Sequence, residues 1–336
     1  MFRRLVLSAL ALDAVASLTP RLAPAEGEFV MKLATVAPEG TPWSEALEKF
    51  KAQVWLASGK RLKVKVFYGA TLGDENETVL STKRGQIQAV GASTGALASV
   101  VTELNMVELP FLFKTEAEAD VVLDTILQVP MEKFFRAKGL VLGFWSENGY
   151  RSFGTKDGFV TSPAKLKGKK MRAQESPVHT AMYKMYGASA QPIPTTEVFQ
   201  ATKTGVVDGW DQTALYAAAA SWHKTVKFYT VSNHIYQPAA IVFNAEWFDK
   251  LPADIQGILV AARKDFQNQS RKAVRKLNKA IIKNLESDGV KVYTLTAAER
   301  ATFLPGAQKV RAAWKAKQSK EVQALLGQVE KKLGLK

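Results

Sequence analysis

A carboxylate is best held by a guanidinium, whose rigid fork of donors makes two parallel hydrogen bonds to it. Two arginines stand where such a grip could operate. Arg172 closes the strand candidate Lys169–Ala173. Ser176 followed by Pro177 then reads as a helix start, a side-chain cap ahead of a ring already fixed at helical φ. Gly187 closes that helix, and Pro192 and Pro194 prevent its continuation, leaving a Pro-broken loop before the next helix. Arg172 therefore falls in the crevice beyond the strand ends of an open α/β sheet and beside a helix N-terminus, a place for an anion. Arg151 follows the strand candidate Leu140–Trp145 in the segment NGYRSFG. On residue type alone, either arginine reads first as a surface or salt-bridge residue.

A second chemistry competes. Gly91-Ala-Ser-Thr-Gly95 fits the G-x-S-x-G nucleophile elbow, and Asp208 and His234 follow Ser93 in the order a triad requires. A secreted serine hydrolase is therefore the alternative reading. Against it, only about three strands precede Ser93, too few for the central elbow of a hydrolase sheet. No HGG-type oxyanion loop lies upstream, and such five-residue matches recur in any strand-to-helix turn. His179, His223 and His234 lack metal-ligand spacing, and His179, on the helix after Arg172, reads as a surface residue. The chain has no cysteine, which excludes thiolate catalysis, disulfides and cysteine-ligated metals. There is no Walker A and no G-x-G-x-x-G. No catalytic residue, metal or cofactor is expected.

The elements that would position these residues follow a βαβ rhythm. Phe29–Val36 and Leu62–Tyr68 alternate as strands, Glu45–Leu56 and Glu75–Lys83 have helical spacing, and Ile87–Gly91 reads as a short buried strand. Such alternation implies parallel strands with crossover helices. A nine-residue segment from Glu77 to Gly85 matches Glu197 to Gly205 at Glu, Thr, Lys and Gly, each time at a helix end leading into a strand. Two similar α/β lobes with a ligand cleft between them are expected. Lobe I would take residues 26–146 plus 235–336, with the C-terminal helices, and lobe II residues 147–234. Ile235–Asn244 reads as a long strand returning to lobe I.

The first 25 residues read as a removed signal peptide, with Arg3 and Arg4 ahead of the apolar run Leu5–Leu12 and a small-x-small site at Ala23-Pro24-Ala25. No later run reaches the eighteen or so apolar residues of a membrane helix. The chain carries a net charge of +15. Arg271, Arg275, Lys279 and Lys283 form an i,i+4 stripe, read as the solvated face of an amphipathic helix and not as a nucleic-acid surface.

Several segments in order resemble the dicarboxylate-type (DctP-type) solute-binding proteins of tripartite ATP-independent periplasmic (TRAP) transporters. They are LATVAPEGTPW, LGDENETVLSTKRGQIQAVGAS, ELPFLF, KGKKMRAQESPVHTAMYKMYGA, PIPTTEVFQATKTGVVDGWDQ and NHIYQPAAIVFNAEWFDKLPADIQ, together spanning roughly residues 29–330. The resemblance implies a two-lobed periplasmic receptor that binds a small organic acid and delivers it to a small and a large membrane subunit. It places Arg172 on the family's carboxylate-gripping arginine and Arg151 on a second arginine often found there. Asp208-Gly-Trp-Asp-Gln212 falls where the family commonly has Gln-Glu-Asn-Pro. Gln212 thus becomes a donor to the solute, and Trp210 a pocket wall implying a bulkier solute than small dicarboxylates. Ser93 and Thr94, neutral hydroxyls, would complete the pocket from the other lobe and argue against an amino sugar. Glu39 and Trp43 would line the first-lobe wall.

Overall fold

The computed structural model describes residues 28–335, so the leader expected over residues 1–25 lies outside the described residues. Nine strands form one sheet: β1 (Phe29–Thr35), β2 (Leu62–Phe67), β3 (Ala89–Ser93), β4 (Leu140–Thr155), β5 (Lys170–Ala173), β6 (Ser189–Pro192), β7 (Gly209–Gln212), β8 (Phe228–Asn244) and β9 (Lys291–Thr294). Their order is β2-β1-β3-β8-β4-β7-β5-β6, with β9 beside β8. The long strands β4 and β8 run antiparallel from Leu140↔Asn244 to Thr155↔Phe228. At one end β3 joins β8, from Ala89↔Phe243 to Ser93↔Ala239. At the other end β7 joins β4, from Ser152↔Gln212 to Thr155↔Gly209. Two parallel triplets, β2-β1-β3 and β6-β5-β7, thus flank opposite ends of a shared ribbon.

The triplets repeat one another. After the helix Glu75–Lys83, the amides of Arg84, Gly85 and Gln86 bond the carbonyls of Leu80, Thr82 and Ser81. After the helix Val198–Lys203, those of Thr204, Gly205 and Val206 bond Gln200, Thr202 and Ala201, the same pattern shifted by a constant interval. Gly85 and Gly205 both take positive φ, as this helix stop requires. The two helix starts also correspond. Thr41 caps the helix Pro42–Ala57 and Ser176 caps Pro177–Met185, each with proline at the first position.

Apolar clusters cover both faces of each half. One, around Leu33, Phe50 and Phe144, and another, around Val90, Leu142 and Trp145, enclose the first triplet. Smaller clusters, around Phe153, Met171 and Tyr183 and around Trp210, Trp222 and Tyr229, enclose the second. Among the described residues, no helix is long and apolar enough to cross a membrane.

Three expectations are corrected. The strand candidates Leu140–Trp145 and Ile235–Asn244 are the ends of much longer strands, 16 and 17 residues, because both are buried along nearly their whole length and show no alternation to read. The Pro-broken loop contains β6, which tolerates Pro192 because it is an edge strand and the proline stands at its end. In the helix Arg263–Asn284 the basic stripe is not one solvated face. Lys279 and Lys283 are exposed, but Arg271 is buried against Asp124 (2.7 Å), and Arg275 bonds Asp120 (2.6 Å) and Glu147 (2.6 Å).

The β4–β7 contact depends on two glycines. A Cβ on Gly209 would overlap the Gly154 carbonyl oxygen, and one on Gly154 would strike the Trp210 ring. Gly209→Ala is therefore expected to destabilise the fold by about 1–3 kcal/mol through overpacking. Urea unfolding should show a lower midpoint with an unchanged slope; an unmoved midpoint would mean that the pair yields at no cost.

Candidate functional site

The carboxyl ends of the two triplets face each other across a narrow cleft. One wall is Thr35–Pro38 with Trp43, Glu75 and Ser93, and the other is Gln174, Thr195, Gln212 and Tyr216. Asn148, Arg151 and Gln237 of the shared ribbon form the floor. This is the crevice in which open α/β sheets hold ligands.

A buried ion pair anchors the floor. Arg151 Nε donates to Asp211 Oδ2 at 2.6 Å, with both side chains closed off from solvent. Arg151 Nη2 donates to the Asp211 carbonyl oxygen. Its Nη1 faces three amide oxygens, of Gln237 (3.0 Å), Gln212 (3.2 Å) and Gln174 (3.3 Å). Tyr183 Oη donates to Asp211 Oδ1 at 2.8 Å, while His234 Nε2 stands 3.4 Å from Oδ2 without hydrogen-bond alignment. Burial pushes the Asp211 carboxyl up, but the Arg151 charge and its other neighbours outweigh this and hold it well below the usual carboxylate range. The charge of Arg151 is already answered within the protein.

Arg172 is different. Its Nε donates to the Ile193 carbonyl at 2.9 Å, Nη2 reaches Thr195 Oγ1 at 3.5 Å, and the guanidinium lies 5.3 Å over the Trp222 ring. It is 1 % exposed and, among the described residues, pairs with no carboxylate. Burial and then the charge of Arg151 push its pKa down to about 10. A buried cation without a counter-charge is costly, and Thr195, which it touches, lines the cleft.

The facing wall carries an acid. Glu75 accepts from Ser93 N at 2.9 Å and from Ser93 Oγ at 2.8 Å, and burial pushes its carboxyl up to about 7. Gln174 Nε2 donates across the cleft to Ser93 Oγ at 2.8 Å. Behind the lining, Glu108 accepts from Thr94 Oγ1 (2.5 Å) and bonds His179 Nε2 (2.6 Å). Burial pushes Glu108 up, and the hydrogen bond from His179 helps to bring it below its ordinary value.

Of the residues named from sequence, Arg151, Gln212, Ser93 and Trp43 meet in the cleft lining. Trp43 is both wall and anchor, since it also belongs to the core cluster and donates Nε1 to the Glu147 carbonyl at 3.1 Å. Arg172 stands one layer back, behind Thr195. Thr94 is buried behind the lining, bonded to Glu108 and to the Pro238 carbonyl. Trp210 is not brought to the cleft. It packs on Trp222 at 5.7 Å, beneath the ring that carries Arg172, so its bulk sets no limit on what the cleft holds. Glu39 is exposed in a surface depression with Glu45, Glu48 and Tyr68.

The triad is not assembled: Ser93 bonds Glu75 and Gln174, His234 Nδ1 bonds Ser232 Oγ, and Asp208 accepts from Lys170 N. His179, expected at the surface, is fully buried. Sequence reading missed Glu75, Gln174, Thr195 and Gln237. The available signals were the acid opening a helix in LGDENET and the glutamine two residues after Arg172. Among the described residues no group of His, Asp and Glu is placed to hold a metal ion.

Residues 33–321 match the profile of the family described as bacterial extracellular solute-binding protein, family 7. A solute-binding protein of Verminephrobacter eiseniae is 34% identical over 269 residues, which is 80% of this chain and 78% of that protein. Among solved structures, the sugar acid binding protein of Advenella mimigardefordensis, in complex with galactonate, superimposes with a TM-score of 0.86 at 29% identity, covering 91% of this chain and 99% of that one. A TRAP periplasmic solute-binding protein of Citrobacter koseri with bound D-glucuronate gives a TM-score of 0.83 at 28% identity, covering 89% and 98%.

Glu75 makes the stability of the cleft pH-dependent. Its carboxyl keeps its proton to higher pH in the fold than in the unfolded chain, so its contribution is full below the unfolded carboxyl pKa. That contribution is lost as pH rises through about 7. Glu75→Gln, neutral throughout, should gain on the wild type by on the order of 2–3 kcal/mol between about pH 5 and pH 8 in denaturant titrations. Parallel pH profiles for the two proteins would show that Glu75 is not buried as its proton.

Proposed function

The chain belongs to family 7 of the bacterial extracellular solute-binding proteins, and we propose that it is the receptor of a TRAP transporter for a sugar acid, a polyhydroxylated carboxylate. One observation carries this reading: a fully buried guanidinium, Arg172, lacks a carboxylate among the described residues and stands beside the cleft, behind Thr195. The rest of the lining suits hydroxyl groups. Gln174, Gln212, Gln237 and Asn148 offer both donors and acceptors, and Ser93, Thr195 and Glu75 add further partners. The structural neighbours with galactonate and D-glucuronate support a solute of this kind. The chain is a receptor and not an enzyme; Ser93 lacks an imidazole partner and serves as a contact.

The solute carboxylate pairs with Arg172, reached past Thr195. Arg151, its charge held by Asp211, acts through Nη1 as a hydrogen-bond donor and through Gln212, Gln174 and Gln237 as an organiser of the floor. Lobe I, residues 26–146 plus 235–336, brings Trp43, Glu75 and Ser93, and lobe II, residues 147–234, brings Arg172 and Gln212. The closed form prevails once the bound acid contacts both lobes, an equilibrium drawn by contacts that exist only in that form. The first 25 residues direct export and are then removed, and the receptor hands the acid to a small and a large membrane subunit.

Titration calorimetry of the mature chain against galactonate, glucuronate and succinate tests the reading. A sugar acid should bind, and Arg172→Ala should weaken it by about 2–5 kcal/mol, the cost of leaving a buried charge unpaired. Arg172→Lys should also bind at least about tenfold less tightly, because an ammonium lacks the planar fork. Wild-type affinity in Arg172→Lys would remove the ion pair from the mechanism.

A further inference from the structure

The turn that follows Arg172 touches the opposite lobe at each of its three residues. Gln174 Nε2 donates to Ser93 Oγ at 2.8 Å, Glu175 Oε2 accepts from Asn76 Nδ2 at 3.0 Å, and Ser176 Oγ donates to Asn105 Oδ1 at 3.0 Å. The turn is stiff: Ser176 N donates to the Gln174 carbonyl at 2.6 Å, and Ser176 also caps the helix behind it. Its partners lie on three different elements, the helix Glu75–Lys83, the end of β3 and the 3₁₀ helix Thr102–Glu108. Beside it, Asp74 Oδ1 accepts from Thr196 N at 3.3 Å.

We propose that Gln174–Ser176 is the latch of the closed receptor, and that the Asn76–Glu175 hydrogen bond at the cleft rim sets how long the solute is held. The inference rests on the receptor reading above. Arg172 and the latch are two residues apart on one continuous backbone, so an anion that orients Arg172 also presents the turn to its three partners. Gln174 lines the cleft, whereas Asn76 and Glu175 do not, so the rim bond acts on closure and not on the solute. The orientation of the Asn76 amide agrees with this role. Its Oδ1 is buried without a hydrogen bond, and the opposite orientation would aim that oxygen at the Glu175 carboxylate.

Exchanging donor and acceptor isolates the bond. Asn76→Asp sets two carboxylates against each other, and adding Glu175→Gln restores one donor facing one acceptor with the roles reversed. The chain has no cysteine, so labels on Leu80→Cys and Lys203→Cys can report lobe separation without removing any native thiol. With galactonate as the probe, Asn76→Asp should speed dissociation about tenfold at unchanged association rate and lower the closed fraction. The double variant should return to within about threefold of wild type. Wild-type dissociation in Asn76→Asp, or a double variant no better than the single one, would overturn the latch. A labelled wild type that neither binds nor closes on galactonate, glucuronate or erythronate would overturn the receptor reading and the latch with it.

Discussion

Two guanidinium groups are buried at the base of this cleft, and Asp211 is committed to only one of them. Most of the site follows from that imbalance. A fully buried ion pair is tolerable only when its remaining donors and acceptors are satisfied. The neighbours of Arg151 and Asp211 provide this: Tyr183 and the main chain on one side, three glutamine oxygens on the other. Those glutamines come from the β5 turn, from β7 and from β8, so satisfying one arginine draws three elements together at the floor. β4 has a register shift between Arg151 and Phe153, the irregularity at which Arg151 meets this network. Arg172 is left over, a buried positive charge that no carboxylate among the described residues answers, and it is this surplus that the proposed reading assigns to an anion.

The duplicated triplets explain why the charge sits on one side only. Leu33 pairs with Ala89 and Met171 with Gly209, so Ala34 in β1 occupies the place that Arg172 holds in β5. Ser93 and Thr213 likewise correspond, each capping a short helix at the end of its strand. The same scaffold thus presents a guanidinium from one lobe and, from the other, a hydroxyl tied to a carboxyl. That division suits a solute with an acid at one end and hydroxyl groups at the other.

Much of this was legible in the residues. Helix starts and stops were readable because they have local chemistry: the cap at Ser176, the proline after it, and the glycines at 85 and 205 whose φ only a helix end requires. The position of Arg172 at a strand end followed from those signals. The long strands were not readable, since burial along nearly their whole length removes the alternation that marks a strand. Trp210 was assigned to the pocket because Asp208-Gly-Trp-Asp-Gln212 falls where the resembled family commonly has Gln-Glu-Asn-Pro. Its actual neighbours, Trp222 and Gly154, lie across the sheet and leave no local trace. Glu75 and Gln174 escaped for the same reason. An acid in a helix first turn and a glutamine in a loop are ordinary surface residues until the second lobe covers them.

The contacts of Gln174, Glu175, Ser176 and Thr196 across the cleft are each worth about 0.5–1.5 kcal/mol net, a few kcal/mol together. Arg172 adds nothing to that sum, because its contacts with the Ile193 carbonyl, Thr195 and the Trp222 ring all lie on its own side of the cleft. Its burial, which brings the pKa down to about 10, is therefore a property of that side and not of the meeting of the two walls. In the reading proposed above, a solute carboxylate offsets this burial while the direct bonds between the walls hold the turn after Arg172 in place. The grip on the anion and the contact between the walls are then separate contributions, joined only through the short stretch of backbone from Arg172 to Ser176.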